Sequence, residues 1–232
     1  MRSLMSERHA AFSGIVAMVL LAIGSFITGT PPKFDASAAS IHTFYADHHR
    51  TILIGMILTG FASVFFVWFA MHLAAHVRAA GQAGLGAVLG AGAIVVVAVA
   101  AIGDALNVGL AQMVRGGTAD GTVKSLYQLS FMTYGRFFWF ALLIAIPIAV
   151  AAQRRALPSY LALVGLVQCV LFVLGGVSLR SHGFFAAGGT MVTIAFIGFL
   201  AGTAITAWAV WQEEMHAAHA HHGHRHATPT PA

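Results

Sequence analysis

Apolar residues run along most of this chain in long blocks that are separated by short polar stretches. Each of six blocks is long enough to cross a membrane, which takes about 20 residues of helix. The separating stretches are rich in glycine, proline and polar residues, which end helices and form turns. The pattern predicts an all-α integral membrane protein, with a six-helix bundle in residues 1–212 and spans at about 11–30, 51–76, 84–110, 126–152, 158–179 and 187–211.

Two segments lie outside these spans. The loop 31–50 has room for a short amphipathic helix, which we predict from Asp35 to Tyr45. Residues 213–232 are polar and rich in histidine, and we predict a disordered cytoplasmic tail there. An alternative for the first span is a cleaved signal peptide, because the "ASA" at 36–38 matches a small-x-small cleavage site. Its apolar region exceeds the roughly 7–15 residues of a signal peptide, which favours a retained span.

Small residues are spaced for close helix packing at two places. "GAVLG" (Gly86 to Gly90) and "GFLAG" (Gly198 to Gly202) are GxxxG patterns, which let helix backbones approach closely in lipid. We expect both to lie at helix contacts.

Composition excludes an ordinary soluble domain. Apolar residues make up 59% of the chain and charged residues 8%, against roughly a quarter charged in soluble proteins, and mean hydropathy is +0.83. The net charge is +5, but the twelve Lys and Arg residues are scattered among helix ends rather than clustered on a face. This distribution favours contact with anionic lipid over nucleic acid.

The basic residues give a weak indication of orientation. Six spans place both termini on one side, and the short connections on that side carry Arg78, Arg154 and Arg155. Positive residues concentrate in cytoplasmic loops, so we predict an N-in/C-in protein of a bacterial plasma membrane.

One acid and one base lie deep within the predicted spans. Asp104 falls in the third span and Arg136 in the fourth, at a similar height. A lone charge in lipid is costly, so such groups usually face the bundle interior and pair with one another. We therefore expect an ion pair between Asp104 and Arg136. One interpretation is purely structural, with the pair fixing the third helix against the fourth.

A functional hypothesis takes in the other polar groups at the same end of the bundle. Several cations converge there on few acids, which predicts a basic cavity near the outer leaflet. This cavity would bind, or both bind and pass, a small anionic or amphipathic ligand such as a lipid headgroup. The aromatic neighbours of Arg136 are suited to stack on its guanidinium or on a ligand. The predicted ligand-binding residues are Arg50, Arg136, Arg180, His49, His182, Asp104, Asn107, Tyr134 and Trp139.

Histidines suggest metal chemistry at two further places. His72 and His76 lie one helical turn apart, a spacing that can chelate Zn or Cu, but neither has a carboxylate or cysteine near it in sequence. Glu213 and Glu214, at the end of the last span, are expected to be solvated. The tail offers a looser hypothesis, binding of Zn, Ni or Cu through many histidines: His216, His219, His221, His222, His224 and His226.

No catalytic motif is recognisable in the chain. It has no GxSxG, no phosphate-binding glycine loop with lysine and no paired carboxylates. This absence favours a protein without enzyme activity and without a cofactor other than metal ions on the tail. The alternatives to a ligand-binding protein are a structural or accessory membrane subunit, a metal-handling protein working through its tail, and a membrane enzyme with Asp104 or His49 as base.

Two short motifs resemble a family. Tyr45, His49 and Arg50 form a "Y…HR" entry to the second span, and Leu157, Pro158 and Leu161 form an "LPxxL"-like entry to the fifth. In these motifs and in the order of its spans, the chain resembles small multi-pass membrane proteins of actinobacteria that are grouped as domains of unknown function. The resemblance covers residues 10 to 212. The resemblance implies the same topology and no particular activity.

Overall fold

Seven helices and no strand form in the part of the chain that this computed structural model describes, residues 2–225, with side chains described for 9–216. The last helix continues beyond residue 211, where we expected the final span to end. The helices are α1 (Arg2–Ile27), α2 (Ala38–Asp47), α3 (His49–Ala79), α4 (Ala83–Arg115), α5 (Asp120–Gln153), α6 (Leu161–Gly176) and α7 (Thr190–Arg225).

Five of these helices, α1, α3, α4, α5 and α7, are long and apolar enough to cross a membrane. The all-helical fold expected from the sequence is therefore confirmed, and these five helices are suited to a multi-pass membrane protein. The helix α6 is apolar but has 16 residues, about 24 Å at 1.5 Å per residue, against a hydrocarbon core of about 30 Å. The count of six spans accordingly stays a prediction.

All helices except α2 pack as a closed ring. Contacts run from α1 to α3, α4, α5, α6 and α7 in turn, and α7 returns to α1. The short helix α2 packs across one end of the ring, on α3, α4 and α5. We call this end the α2 end and the opposite one the terminal end. Because α1 closes the ring between α3 and α7, it is part of the bundle rather than an appendage.

Glycines permit the closest approaches between ring neighbours. A Cβ on Gly24 of α1 would lie 2.9 Å from the carbonyl oxygen of Gly55 in α3, and one on Gly55 would lie 2.6 Å from that of Gly24. Both GxxxG patterns lie at such contacts, as we expected. Gly86 and Gly90 face α3, whereas Gly198 and Gly202 face Leu171 and Gln168 of α6.

The helix α2 begins at an N-cap and is held by two buried side chains. The Ser37 hydroxyl oxygen accepts a hydrogen bond from the Ser40 backbone N–H at 3.2 Å, which satisfies an amide that has no partner within the helix. Ile41 and Tyr45, one turn apart, are buried against α4 and α5. The expected short helix in this loop is thus present, a few residues later than predicted.

Phenylalanines from four helices fill the middle of the ring. The ring of Phe199 in α7 lies 5.6 Å from that of Phe66 in α3 and 5.0 Å from that of Phe137 in α5. Phe172 of α6 adds a fourth ring, 6.1 Å from Phe199. This central aromatic cluster (Phe66, Phe137, Phe172 and Phe199) closes the interior between the terminal end and the space described next.

Candidate functional site

A cavity of about 340 Å³ lies inside the ring, between the central aromatic cluster and α2. It is partly open, and its lining includes the exposed residues Gly29, Pro31 and Gly188 at the α2 end. Its volume is within the range of roughly 300–1,000 Å³ typical of small-molecule sites. Most of the lining is apolar and comes from α1, α3, α4, α5 and α7, with side chains such as Met18, Leu21, Val96, Phe138, Val192 and Phe196.

One side of the cavity is polar, and Asp104 is at its centre. The Tyr134 hydroxyl donates to Asp104 Oδ1 at 2.6 Å, and the Thr59 hydroxyl lies 2.8 Å from Oδ2, to which it donates. These partners come from α5 and α3, so the carboxylate joins both helices to α4. We call the group Tyr45, Thr59, Asp104, Asn107 and Tyr134 the polar wall.

Asn107 extends this wall towards α2. It lies three residues after Asp104, which places both side chains on one face of α4. Its Oδ1 accepts a hydrogen bond from the Tyr45 hydroxyl at 2.5 Å. Its Nδ2 donates to the Gly103 carbonyl at 3.0 Å and to the Tyr134 hydroxyl oxygen at 3.1 Å. A continuous network therefore runs from α2 through α4 to α5.

Gly103 allows Tyr134 to reach Asp104. A Cβ at Gly103 would lie 2.7 Å from the tyrosine ring, closer than real side chains approach. The ring thus lies directly against the α4 backbone, and its hydroxyl meets the carboxylate of the next residue. Any larger side chain at Gly103 must displace the ring.

Aromatic rings surround the mouth of the cavity. The Tyr45 and Tyr127 rings are 6.1 Å apart and edge-on, and Phe131 lies 4.8 Å from Tyr127. The Tyr127 hydroxyl donates to the Pro32 carbonyl, which holds the loop before α2 against α5. Burial raises the pKa of Tyr45 well above its usual range, so its hydroxyl stays a hydrogen-bond donor.

The expected ion pair between Asp104 and Arg136 is not formed. Neither residue has an ion pair with any residue whose side chain the structure describes, and Arg136 is exposed. The reason lies in helix geometry. Two residues of α-helix turn about 200°, so Arg136 points away from the side of α5 on which Tyr134 meets Asp104. The cavity beside Asp104 is therefore not basic, and its described lining contains no Lys, Arg or His.

The remaining predicted binding residues lie apart from this cavity. His49 and Arg50 line a separate pocket at the start of α3, together with Asp47 and Arg115. Arg180 and His182 are exposed in the loop between α6 and α7. Trp139 faces α6, where its Nε1 donates to the Gly176 carbonyl at 3.1 Å. Of the nine residues that we predicted, the structure places Asp104, Asn107 and Tyr134 together at the cavity.

Sequence reasoning missed two members of the polar wall. Thr59 is buried in the middle of α3, four residues before Ser63, which also lines the cavity. Two hydroxyls at this spacing share one helix face, and this was the available signal. Tyr45 entered only as part of a motif resemblance, because nothing local indicated that its hydroxyl would reach Asn107.

At the terminal end, the carboxylates at the end of the last span meet the histidines of α3. His72 Nε2 lies 2.6 Å from Glu214 Oε1, with both side chains about 15% exposed, and His76 Nε2 lies 3.8 Å from Glu213 Oε2. Our expectation that Glu214 is solvated was wrong, because α7 returns beside α3 and brings its end to His72. Within the side chains that the structure describes, no group of three or more His, Cys, Asp or Glu is arranged to hold a metal ion.

The tail histidines fall at the edge of the described residues. His216 is exposed on α7. The side chains of His219, His221, His222 and His224, and all of His226, lie outside the described residues. Metal binding by the tail thus stays a prediction.

Comparison of the chain with protein-family models, curated proteins and solved structures finds no match in any of the three. The resemblance to actinobacterial membrane proteins therefore stays a prediction, and the site is interpreted from its own geometry.

Proposed function

We propose that this protein binds a small amphipathic molecule inside its helix ring, with the apolar part of the ligand in the cavity and its head group at the polar wall. The observation that carries the proposal is Asp104, a carboxylate that faces a partly open, mostly apolar cavity and has no cationic partner among the described side chains. Acidic groups at such depth are costly and usually belong to a site.

The closed floor of the cavity favours binding over passage. The central aromatic cluster fills the ring between the cavity and the terminal end. A ligand that enters from the α2 end would stop there unless those rings move. The shape is that of a one-sided pocket.

A structural role is the second candidate, and one observation favours it. Asp104 accepts hydrogen bonds from α3 and α5 at once, so it also contributes to holding three helices together. The two functions differ in what a substitution does: a structural carboxylate can be replaced together with its hydrogen-bond partners by well-packed apolar residues without loss of function, whereas a binding carboxylate cannot.

We further infer six spans, with both termini on one side of a bacterial plasma membrane and, in keeping with the positive-inside rule, N-in/C-in. The helix α5 begins beside α2, where Tyr127 meets Pro32. The helix α7 also begins near the cavity mouth, two residues after Gly188, and its Glu214 reaches His72. Hence α6 has to return the chain across the bundle. The contacts of α1 on both sides support a retained first span over a cleaved signal peptide.

Native mass spectrometry on protein released in mild detergent tests the binding function. We expect wild-type protein to retain an amphipathic molecule that is lost in Ala100→Phe, because Ala100 lines the cavity one turn before Asp104. The smaller Ala100→Leu is a second variant in case the phenylalanine disturbs folding. Asp120→Asn, at the exposed start of α5, is the control. Equal adducts in all four proteins, or none in any, would contradict the proposal and favour the structural role.

A further inference from the structure

The geometry points to a cationic head group: we infer that the ligand is an amphipathic amine, whose protonated nitrogen binds Asp104. The inference rests on the proposed function, since it requires that the cavity is a binding site. It adds the chemical class of the ligand and replaces the anionic ligand that the sequence suggested.

The hydrogen atoms of the polar wall favour a ligand that donates hydrogen bonds. The Tyr45 hydroxyl donates to Asn107, and both Nδ2 hydrogens of Asn107 are donated to Gly103 and Tyr134. The Tyr134 and Thr59 hydroxyls face the Asp104 carboxylate. Every polar hydrogen of the wall is thus used within the protein. The polar wall can therefore offer a ligand only hydrogen-bond acceptors.

Asp104 is the strongest of these acceptors. An ionised carboxylate has about four lone-pair positions, and the described residues fill one on each oxygen. The remaining positions are available to a donor in the cavity. An ammonium group has hydrogens to donate and no acceptor, so its chemistry is complementary to this wall.

The charges of the cavity lining also favour a cation. Asp104 is the only ionisable side chain apart from tyrosines in the described lining, which contains no Lys, Arg or His. A carboxylate or phosphate head group would face Asp104 without a cation to offset the repulsion. A neutral alcohol could donate one hydrogen bond but would leave the buried charge uncompensated. An ammonium supplies both the donor and the opposite charge.

The aromatic mouth provides independent support. Phe44, Tyr45, Tyr127 and Phe131 all line the cavity, with neighbouring ring centroids 4.8–6.1 Å apart. Faces of aromatic rings attract cations, and clusters of aromatic rings are known to bind ammonium groups. An amine that enters from the α2 end passes these rings before it reaches Asp104.

Competition binding with three probes of the same chain length tests the inference. Tritiated dodecylamine is bound to purified protein in detergent, and unlabelled dodecylamine, dodecanol and dodecanoate compete with it. We expect dodecylamine to compete best, dodecanol about 10- to 100-fold less well, as for loss of a charge-assisted hydrogen bond, and dodecanoate least. In Asp104→Asn the preference for amine over alcohol should disappear.

Asp104→Asn is suited to this test because the wall can accommodate the amide. The Thr59 hydroxyl lies 3.0 Å from the Met56 carbonyl and can donate there instead, which frees its oxygen to accept from the new NH₂ group. The control is Asp120→Asn, which removes an exposed acid away from the cavity lining and should leave the preference unchanged.

The possible results separate the two proposals. Equal competition by alcohol and amine, with binding still lost in Ala100→Phe, would overturn the cationic head group and retain the binding cavity. Stronger competition by dodecanoate would do the same and favour an anion. No displaceable binding of any probe, or binding that Ala100→Phe leaves intact, would overturn the proposed function itself and the amine with it.

Discussion

The hydroxyl of Tyr134 and the carboxylate of Asp104 are joined by a 2.6 Å hydrogen bond across the contact between α4 and α5. The residue before Asp104 is Gly103, which leaves room for the tyrosine ring. A short stretch of α4 thus supplies the acid and makes space for its partner, and the cavity gains a fixed acceptor that faces an apolar interior.

Replacing Tyr134 by Phe should weaken both stability and ligand retention. The change removes the donor to Asp104 Oδ1 and the acceptor for Asn107 Nδ2, so two partly buried polar groups lose a partner. We expect a loss of about 1–3 kcal/mol in the free energy of unfolding, measured by denaturation in detergent micelles. Tyr160→Phe, at a half-exposed tyrosine, is the control. Equal effects of the two changes would contradict this account of the polar wall.

Gly103→Ala should disturb the site by a steric clash alone. The new methyl group would lie 2.7 Å from the Tyr134 ring, and such overpacking costs about 1–3 kcal/mol. Gly109 is on the same helix with open space around it, so Gly109→Ala should be neutral or slightly stabilising because alanine is the better helix former. Thermal unfolding compares the two. A Gly103→Ala protein as stable as Gly109→Ala would mean that the ring does not pack as described.

Gly55→Ala should loosen α1 from α3. Its methyl group would meet the Gly24 carbonyl oxygen at 2.6 Å, and a backbone atom cannot rotate away as a side chain can. The matched change is Gly60→Ala on the same helix, where nothing lies within 4 Å. We expect faster proteolysis of the loop that follows α1 in Gly55→Ala only. Identical cleavage rates in the two variants would argue against this helix crossing.

The two histidine–glutamate pairs at the terminal end should differ in interaction energy. A double-mutant cycle of His72→Ala and Glu214→Ala should give a coupling of about 0.5–3 kcal/mol, as for groups in contact, because the pair is close and largely buried. The cycle of His76→Ala and Glu213→Ala should give less than about 0.5 kcal/mol, since that pair is longer and more exposed. Both are measured by chemical denaturation. The reverse order would show that α7 ends elsewhere against α3.

Arg136→Leu should leave both stability and binding intact. Arg136 is exposed and pairs with no residue whose side chain is described, and arginine within a span costs about 2.5–3.5 kcal/mol on insertion scales. Loss of the cation therefore removes no contact of the site. The same binding assay and denaturation curves apply. A large loss in either would restore the ion pair with Asp104 that the sequence suggested.

The sequence by itself determined the class of architecture. Long apolar blocks, glycine-rich connections and a low content of charged residues predict a multi-pass helical membrane protein, because a span in lipid needs a minimum length of apolar helix whatever its neighbours are. It also singled out Asp104 as the one acid within a span, and it located two of the glycine pairs at which helices pack closely.

Only the tertiary structure decided which groups meet. Helices such as α3 and α5 have apolar residues on all sides, since lipid replaces water on their outer face. Their polar residues therefore do not mark the side that faces inward. The sequence therefore placed Arg136 beside Asp104, whereas rotation about the α5 axis puts Tyr134 there instead. It also separated His72 from Glu214 by 142 positions, and packing brings them to 2.6 Å. Length and hydropathy fix what crosses the membrane, but the rotation of each helix depends on its packing against its neighbours.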